Sequence, residues 1–160
     1  KNIILAAQQA AGVSDKQVRV IPTASVPQGM AALLSLDAGS DLDQVADGMT
    51  RAIGAVKTLE ITSATRAVSL DGVGVKKGQY IGLLDDHLVA AADDLWEATR
   101  SLLEAAQAAA AELITVYSGE ELTPQQLGQM AEQIRSAFPE QEVELLDGGQ
   151  PHYPLMLSVE

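Results

Sequence analysis

Apolar positions recur along this chain with two periods, one helical and one of strands. Ile3, Ile4, Ala7, Ala10 and Ala11 fall at helical spacing and predict a helix of about ten residues, ended by Gly12. Asn2 stands just before it, where an N-cap belongs. Gln17–Pro22 is β-branched and predicts a short buried strand. Thr23–Gln28 turns the chain, with Pro22 and Pro27 withholding backbone donors. A helix over Pro27–Ser35 follows, capped by Ser25 or Val26. Beyond a loop at Asp37–Ser40, Ser40 is expected to cap a helix with Leu42, Val45, Ala46, Met49, Ala52, Ile53 and Val56 on its apolar face.

At Leu59–Leu70 the period changes to two, predicting one long, half-covered strand. Asp71-Gly72, Lys77-Gly78 and Asp85-Asp86 are turn signals, and Gln79–Leu84 and His87–Ala91 are the next strands. Residues 59–91 thus read as an antiparallel meander. Asp93-Asp94 opens a helix running to about Ala110. Leu113–Tyr117 is a compact strand, and Thr123-Pro124-Gln125-Gln126 spells a capping box ahead of a helix with Leu127, Met130, Ala131, Ile134 and Phe138 on its core face. Glu142–Leu146 is a strand, Asp147–Pro154 a Gly/Pro-rich loop, and Leu155–Val159 the last strand. The strand–helix–strand order over 113–146 predicts a parallel pair with a right-handed crossover. The helix ahead of Val18 implies a further strand upstream, so the chain reads as part of a longer one. The fold class is α/β: a mixed sheet with helices packed on it, parallel strand–helix–strand units at both ends and an antiparallel meander between. Residues 1–160 read as one domain, with any division into two lobes placed near residue 93.

Composition narrows the partners. With 47% hydrophobic residues but only 3% aromatic, the core must be built from Ala, Leu, Val and Ile. A net charge of −12 argues against nucleic acid, because each phosphate contact needs a Lys or Arg. It argues equally against an anionic membrane surface. No apolar run reaches the roughly 18 residues of a spanning helix. The absence of Cys removes disulfides, a thiol nucleophile and thiolate metal sites, and fits a cytoplasmic setting.

Chemical motifs are scarce. No GxxxxGK[ST], strand-linked GxGxxG or GxSxG occurs. Gly72–Gly78 reads as a hairpin turn, and His87 and His152 lie in no metal-ligand spacing. No catalytic residue or metal ligand is assigned. Three features remain as binding candidates. Thr23, Ser25 and Gln28 lie where a strand gives way to a helix N-terminus, an arrangement open either to an anion or to a turn that satisfies its own backbone. Gln150, His152 and Tyr153 lie in GGQPHYP, where two Gly and two Pro fix either a tight connection or a shaped contact loop. Arg66, in mid-strand, reads as an exposed β residue, an ion-pair partner or a ligand contact.

The blocks NIILAAQQAA (2–11), VIPTASVPQGMAALL (20–34), DGVGVKKGQYIGLLDDHLV (71–89) and GGQPHYPLMLSVE (148–160) resemble the C-terminal domain of the bacterial fatty acid kinase A subunit. These proteins form a dihydroxyacetone-kinase-related, DAK2-domain family. That family carries an Asn-rich loop just ahead of the first block, so Asn2 joins the binding candidates. The resemblance implies a parent that uses ATP and magnesium in another domain to phosphorylate a fatty acid. The acid is presented by a separate, DegV-like acyl-binding B subunit. It implies a non-catalytic, partner-docking role for this stretch, which itself needs no cofactor. The alternative is a domain that binds a small acyl or anionic ligand directly. Homodimerisation is left open.

Overall fold

A strand forms only where another strand can complete its hydrogen-bond ladder, and this rule shapes the departures from the sequence pattern. The structure, a computed structural model, describes residues 2–160 and divides into two compact units, the first ending at Val56 and the second spanning Lys57–Glu160. The boundary between the units falls between a helix and a strand, and residue 93 lies inside the second unit.

The first unit is helical: α1 (Asn2–Gly12), α2 (Val26–Leu34) and α3 (Leu42–Ala55). The predicted strand at Gln17–Pro22 does not form; this stretch is extended but pairs with no described strand. Its β-branched residues supply propensity, and propensity without a ladder partner is not enough. Asn2 is not a cap but the first helical residue, and the position ahead of it lies outside the described residues. Ser25 does cap α2, accepting from the Gln28 N–H at 3.3 Å. For α3 the cap is Asp41, which accepts from the Gln44 N–H at 2.9 Å. Ser40 instead donates to the Asp37 carboxylate at 2.7 Å and tightens the preceding turn. That bond, with a second from the Gly39 N–H, holds the Asp37 carboxyl below its ordinary pKa. Helix α2 packs on α3, and Pro27 and Ala32 of α2 and Ala46 of α3 are buried.

The second unit contains β1 (Lys57–Ser63), β2 (Val68–Leu70), β3 (Val73–Val75), β4 (Tyr80–Leu84), β5 (His87–Ala92), α4 (Leu95–Ala105), β6 (Leu113–Gly119), α5 (Pro124–Ala137), β7 (Glu142–Gln150) and β8 (Leu155–Val159). Six strands form one mixed sheet in the order β5-β4-β1-β8-β6-β7, and β2 and β3 form a separate hairpin. The pair β6–β7 is parallel and every other pair of the large sheet antiparallel. The expected meander and the parallel unit at 113–146 are both present; a parallel unit at the front of the chain is not.

The single long strand expected over Leu59–Leu70 is broken. Ala64 still exchanges backbone bonds with Gln79 and Gly78 at 2.8 Å, and then Thr65-Arg66 bends the chain into β2. Val75, Ala64 and Leu88, with Val73, Ile81, Leu83 and Ala91, make a small apolar cluster between the hairpin and the outer strands. The helix expected to reach Ala110 stops at Ala105, because Gln107 adopts a left-handed conformation and only one 3-10 turn follows. The stop frees the Ala106 carbonyl to accept from Lys57 Nζ at 2.6 Å. Helix α5 begins with both halves of its capping box, Thr123 and Gln126, in place.

Helices α4 and α5 share one face of the sheet. Their Leu102, Leu103, Met130 and Ile134 pack with Leu59, Ile61, Ile114, Val116, Leu155, Leu157 and Val159 in the main core. Helix and sheet pack closely at Gly82, where an added Cβ would lie 3.2 Å from both Ala90 Cβ and Leu102 Cδ2. Leu102 is fully buried at that contact. Leu102→Ala is expected to lower the unfolding free energy by about 2–5 kcal/mol, read as a lower urea midpoint at unchanged m-value.

Candidate functional site

The sheet order makes one edge special. Because β8 lies between β1 and β6, the connection from β7 to β8 must pass over the C-terminal end of β6. The GGQPHYP segment makes that crossing. Strand β7 runs on to Gln150, and its register against β6 shifts after Ser118, so that Gly148-Gly149 bulge and Gly119 faces Gln150. The loop expected over Asp147–Pro154 therefore shortens to four residues. Gly149 takes a positive φ of 59°, which a side chain would resist.

Backbone and side chain then bolt the crossing down. The Gly119 N–H donates to the Pro154 carbonyl at 2.9 Å, and the Glu120 N–H to the Gln150 carbonyl at 3.1 Å. The Gln150 amide donates to the carbonyls of Tyr117 and Tyr153 at 3.0 and 3.1 Å. Thr62, at the end of β1, donates to the His152 carbonyl at 2.7 Å. A Cβ on Gly119 would run into the carbonyl oxygens of Tyr153 and Gln150, so only Gly fits beneath the loop. His152 sits at φ 68°, held there by these bonds, and is exposed, while Tyr153 is half-buried. Of the three candidates in this loop, Gln150 is a structural brace, and His152 and Tyr153 stand on the braced surface.

Thr23, Ser25 and Gln28 belong to the first unit, at the turn that leads into α2. Ser25 and Gln28 form a closed local circuit: Ser25 Oγ accepts from the Gln28 N–H, and Gln28 Oε1 accepts from the Ala24 N–H at 2.9 Å. The Thr23 N–H donates to the Ile21 carbonyl at 2.9 Å. The turn thus satisfies much of its own backbone, the plainer of the two alternatives its sequence left open. Arg66 lies in the exposed bend after β1, not in mid-strand, and forms no ion pair among the described residues. Asn2 is exposed at the start of α1.

One feature is not apparent from the sequence motifs. The face of the sheet opposite α4 and α5 carries a row of hydroxyls, with Ser158 of β8 registered between Thr58 of β1 and Thr115 of β6. The next row holds Glu60, Met156 and Tyr117. All three hydroxyl residues are buried, and the Ser158 hydroxyl lies beside the Tyr117 phenol. Burial raises the pKa of Tyr117. It also raises that of Glu60, helped by repulsion from Asp86. The period-two alternation in β1 and β6 was the available signal, since polar residues recur there at every second place.

Two shallow hollows complete the surface. One, of about 570 Å³, lies beside the Arg19–Asp43 ion pair near the start of α3. The other, of about 620 Å³, lies beside Trp96 and the outer side of α5. Neither is lined by a sequence candidate. No group of three His, Cys, Asp or Glu residues able to hold a metal ion occurs among the described residues, and none of their helices is long and apolar enough to cross a membrane.

The model of a family described as the C-terminal region of fatty acid kinase A-subunit-like proteins matches residues 1–160. Uncharacterised proteins of Staphylococcus haemolyticus and Staphylococcus aureus are each 36% identical over all 160 residues, and the chain spans 29% of their length. Among solved structures, a DegV family protein of Corynebacterium glutamicum shares the fold with a TM-score of 0.64 at 19% identity, over 96% of this chain and 67% of that one. A fatty-acid-binding DegV family protein of Thermus thermophilus gives 0.60 at 15% identity, over 100% and 67%. The Streptococcus pneumoniae fatty acid kinase B3 protein, loaded with linoleic acid, gives 0.53 at 17% identity, over 78% and 51%.

Two outcomes test this geometry. Gln150→Ala leaves the Tyr117 and Tyr153 carbonyls without their donor and should cost about 1–3 kcal/mol, seen as a lower Tm. For Glu60 the folded pKa is raised, so the folded state holds more protons than the unfolded state just above the ordinary carboxylate range, and stability falls as pH rises through that window. Glu60→Gln should therefore raise Tm at neutral pH, with the gain vanishing in acid where both states are protonated.

Proposed function

Since this chain belongs to the C-terminal family of fatty acid kinase A-subunit-like proteins, we propose that it is the non-catalytic domain through which such a kinase docks a DegV-like, acyl-binding B subunit. The observation that carries this reading is the family match over all 160 residues. The relatives it matches are more than three times as long, which leaves room for a kinase elsewhere in the parent. On this reading the parent transfers phosphate from ATP, with magnesium, to the fatty acid that the B subunit presents, and does so in the cytoplasm. On the same reading ATP and magnesium are held by the remainder of the parent.

The docking surface we favour is the braced crossing at 150–154. A loop fixed before binding loses little conformational entropy on association. Charge supports the same unit. Residues 57–160 hold 17 of the 22 acids and 6 of the 10 bases, an imbalance that would draw in a partner with a basic patch. His152 is exposed on the braced backbone, and its side chain makes none of the bonds that hold the crossing, so it can be changed without dismantling it.

Calorimetric titration with the cognate B subunit is the direct test. Saturable heat is expected, with His152→Ala weakening Kd by about tenfold at unchanged Tm. No measurable heat at high micromolar concentrations would sink the docking reading. The buried hydroxyl row of Thr58, Ser158 and Thr115, beside Tyr117, supports a second reading, a small acyl or anionic ligand lying on that face of the sheet. Native mass spectrometry of freshly purified protein would then show a co-purified ligand, lost in Ser158→Ala; bare protein whose Tm ignores fatty acids would remove this reading.

A further inference from the structure

The large sheet has two borders, and they are built differently. One border strand, β5, has six residues, and the β2–β3 hairpin packs against it, with Val75 and Leu88 buried in the small apolar cluster. The other, β7, has nine residues and, among the described residues, pairs with β6 alone. Backbone groups along such a strand turn alternately towards its neighbour and away from it. The Glu142 N–H donates to the carbonyl of Glu112, just ahead of β6, at 2.9 Å. The next residue faces the other way: the Val143 carbonyl accepts from Arg135 Nη2 of α5 at 3.1 Å. By the same alternation the N–H groups of Leu145 and Asp147, with the Leu145 carbonyl, point away from the sheet. Arg135 thus occupies one end of the edge and leaves 144–149 open. Native edges are commonly blunted by Lys, Pro or a covering element. Strand β7 (EVELLDGGQ) contains neither Lys nor Pro. Leu145 and Leu146, on its opposite faces, are 36% and 40% exposed.

We propose that the open edge of β7 is completed by an extended, Lys- or Arg-bearing segment of the docking partner, added as a further strand of the sheet. The inference rests on the docking reading and extends its contact: β7 ends at Gln150, where the braced crossing begins, so edge and crossing are continuous. Strand addition takes its affinity from main-chain bonds, which the outward groups of Leu145 and Asp147 offer, and its selectivity from alternate side chains. Charge selects the occupant. Every charged residue of β7 is acidic: Glu142, Glu144 and Asp147. A second copy laid edge to edge against β7 would set these acids against one another, which is destabilising. The same acids favour a basic strand, with Lys or Arg beside Glu144 and aliphatic side chains beside Leu145 and Leu146. The edge therefore rejects its own kind and admits its complement.

Hydrogen exchange resolved to single amides, on the full-length parent with and without the cognate B subunit, tests it. In the parent alone, Leu145 and Asp147 should exchange far faster than Glu144 and Leu146, whose N–H groups face β6. In the complex the two outward amides should slow by at least about tenfold. A complex that forms while those amides still exchange freely overturns the strand addition and leaves docking at the crossing standing. No complex at high micromolar concentrations overturns both. Protection already present in the parent alone overturns the inference as well; if it grows with protein concentration, a second copy is the occupant. Asp147→Pro removes one outward N–H and spares the β6 ladder, a place where edge strands tolerate Pro. It should weaken Kd for the B subunit by about tenfold. Asp147→Ala removes the same carboxylate but keeps the N–H, and should weaken Kd by no more than about threefold. Equal losses in the two variants would assign the effect to the carboxylate and overturn the strand addition. Exchange in the unmodified parent decides the question if the proline variant does not fold.

Discussion

Strand β8 holds the second unit together. It pairs with β1 on one side and β6 on the other, joining the antiparallel meander to the parallel β6–α5–β7 unit. Its alternating Leu155, Leu157 and Val159 enter the main core, and Met156 and Ser158 face the other way. Placing a strand there obliges the chain to cross the end of β6. Steric exclusion at Gly119, the bulge at Gly148-Gly149 and the Gln150 amide are all answers to that demand. The loop's unusual composition follows from topology before any question of binding arises.

Legibility in the sequence followed the range of the interactions. Contacts made within a few residues were readable: the Thr123–Gln126 box, the Ser25 cap, and the helix whose face carries Met130, Ala131 and Ile134. The fold class and the parallel unit at 113–146 were readable as well, because period and element order constrain them. What failed depended on distant parts. Gln17–Pro22 looked like a strand because propensity cannot reveal whether a neighbour exists to pair with it. The break after Ser63 depends on the hairpin packing over β4 and β5, and the stop at Gln107 on a single backbone angle.

The candidate site was legible in the same uneven way. GGQPHYP stood out by composition, yet whether its Gln was a contact or a brace could be decided only by the two carbonyls it reaches, one of them 33 residues away. Thr23, Ser25 and Gln28 were identifiable as polar residues at a helix start, and local geometry turns Ser25 and Gln28 toward the backbone of that turn. The resemblance to the fatty acid kinase family was visible in four sequence blocks, and the full-length match makes it membership. The DegV-like fold of the solved neighbours means that this domain and the proteins proposed to dock it share an architecture.

The central position of β8 has a consequence for the order of synthesis. It is the latest of the six sheet strands to be made, and its neighbours β1 and β6 are exposed edges until it arrives. While the nascent chain grows, the meander has one unpaired β1 edge carrying Leu59 and Ile61, and the parallel pair has one unpaired β6 edge carrying Ile114 and Val116. Open edges of that kind are the usual seats of misassociation and of chaperone attention. Loss of even the last few residues would thus split the sheet at its middle instead of trimming its border.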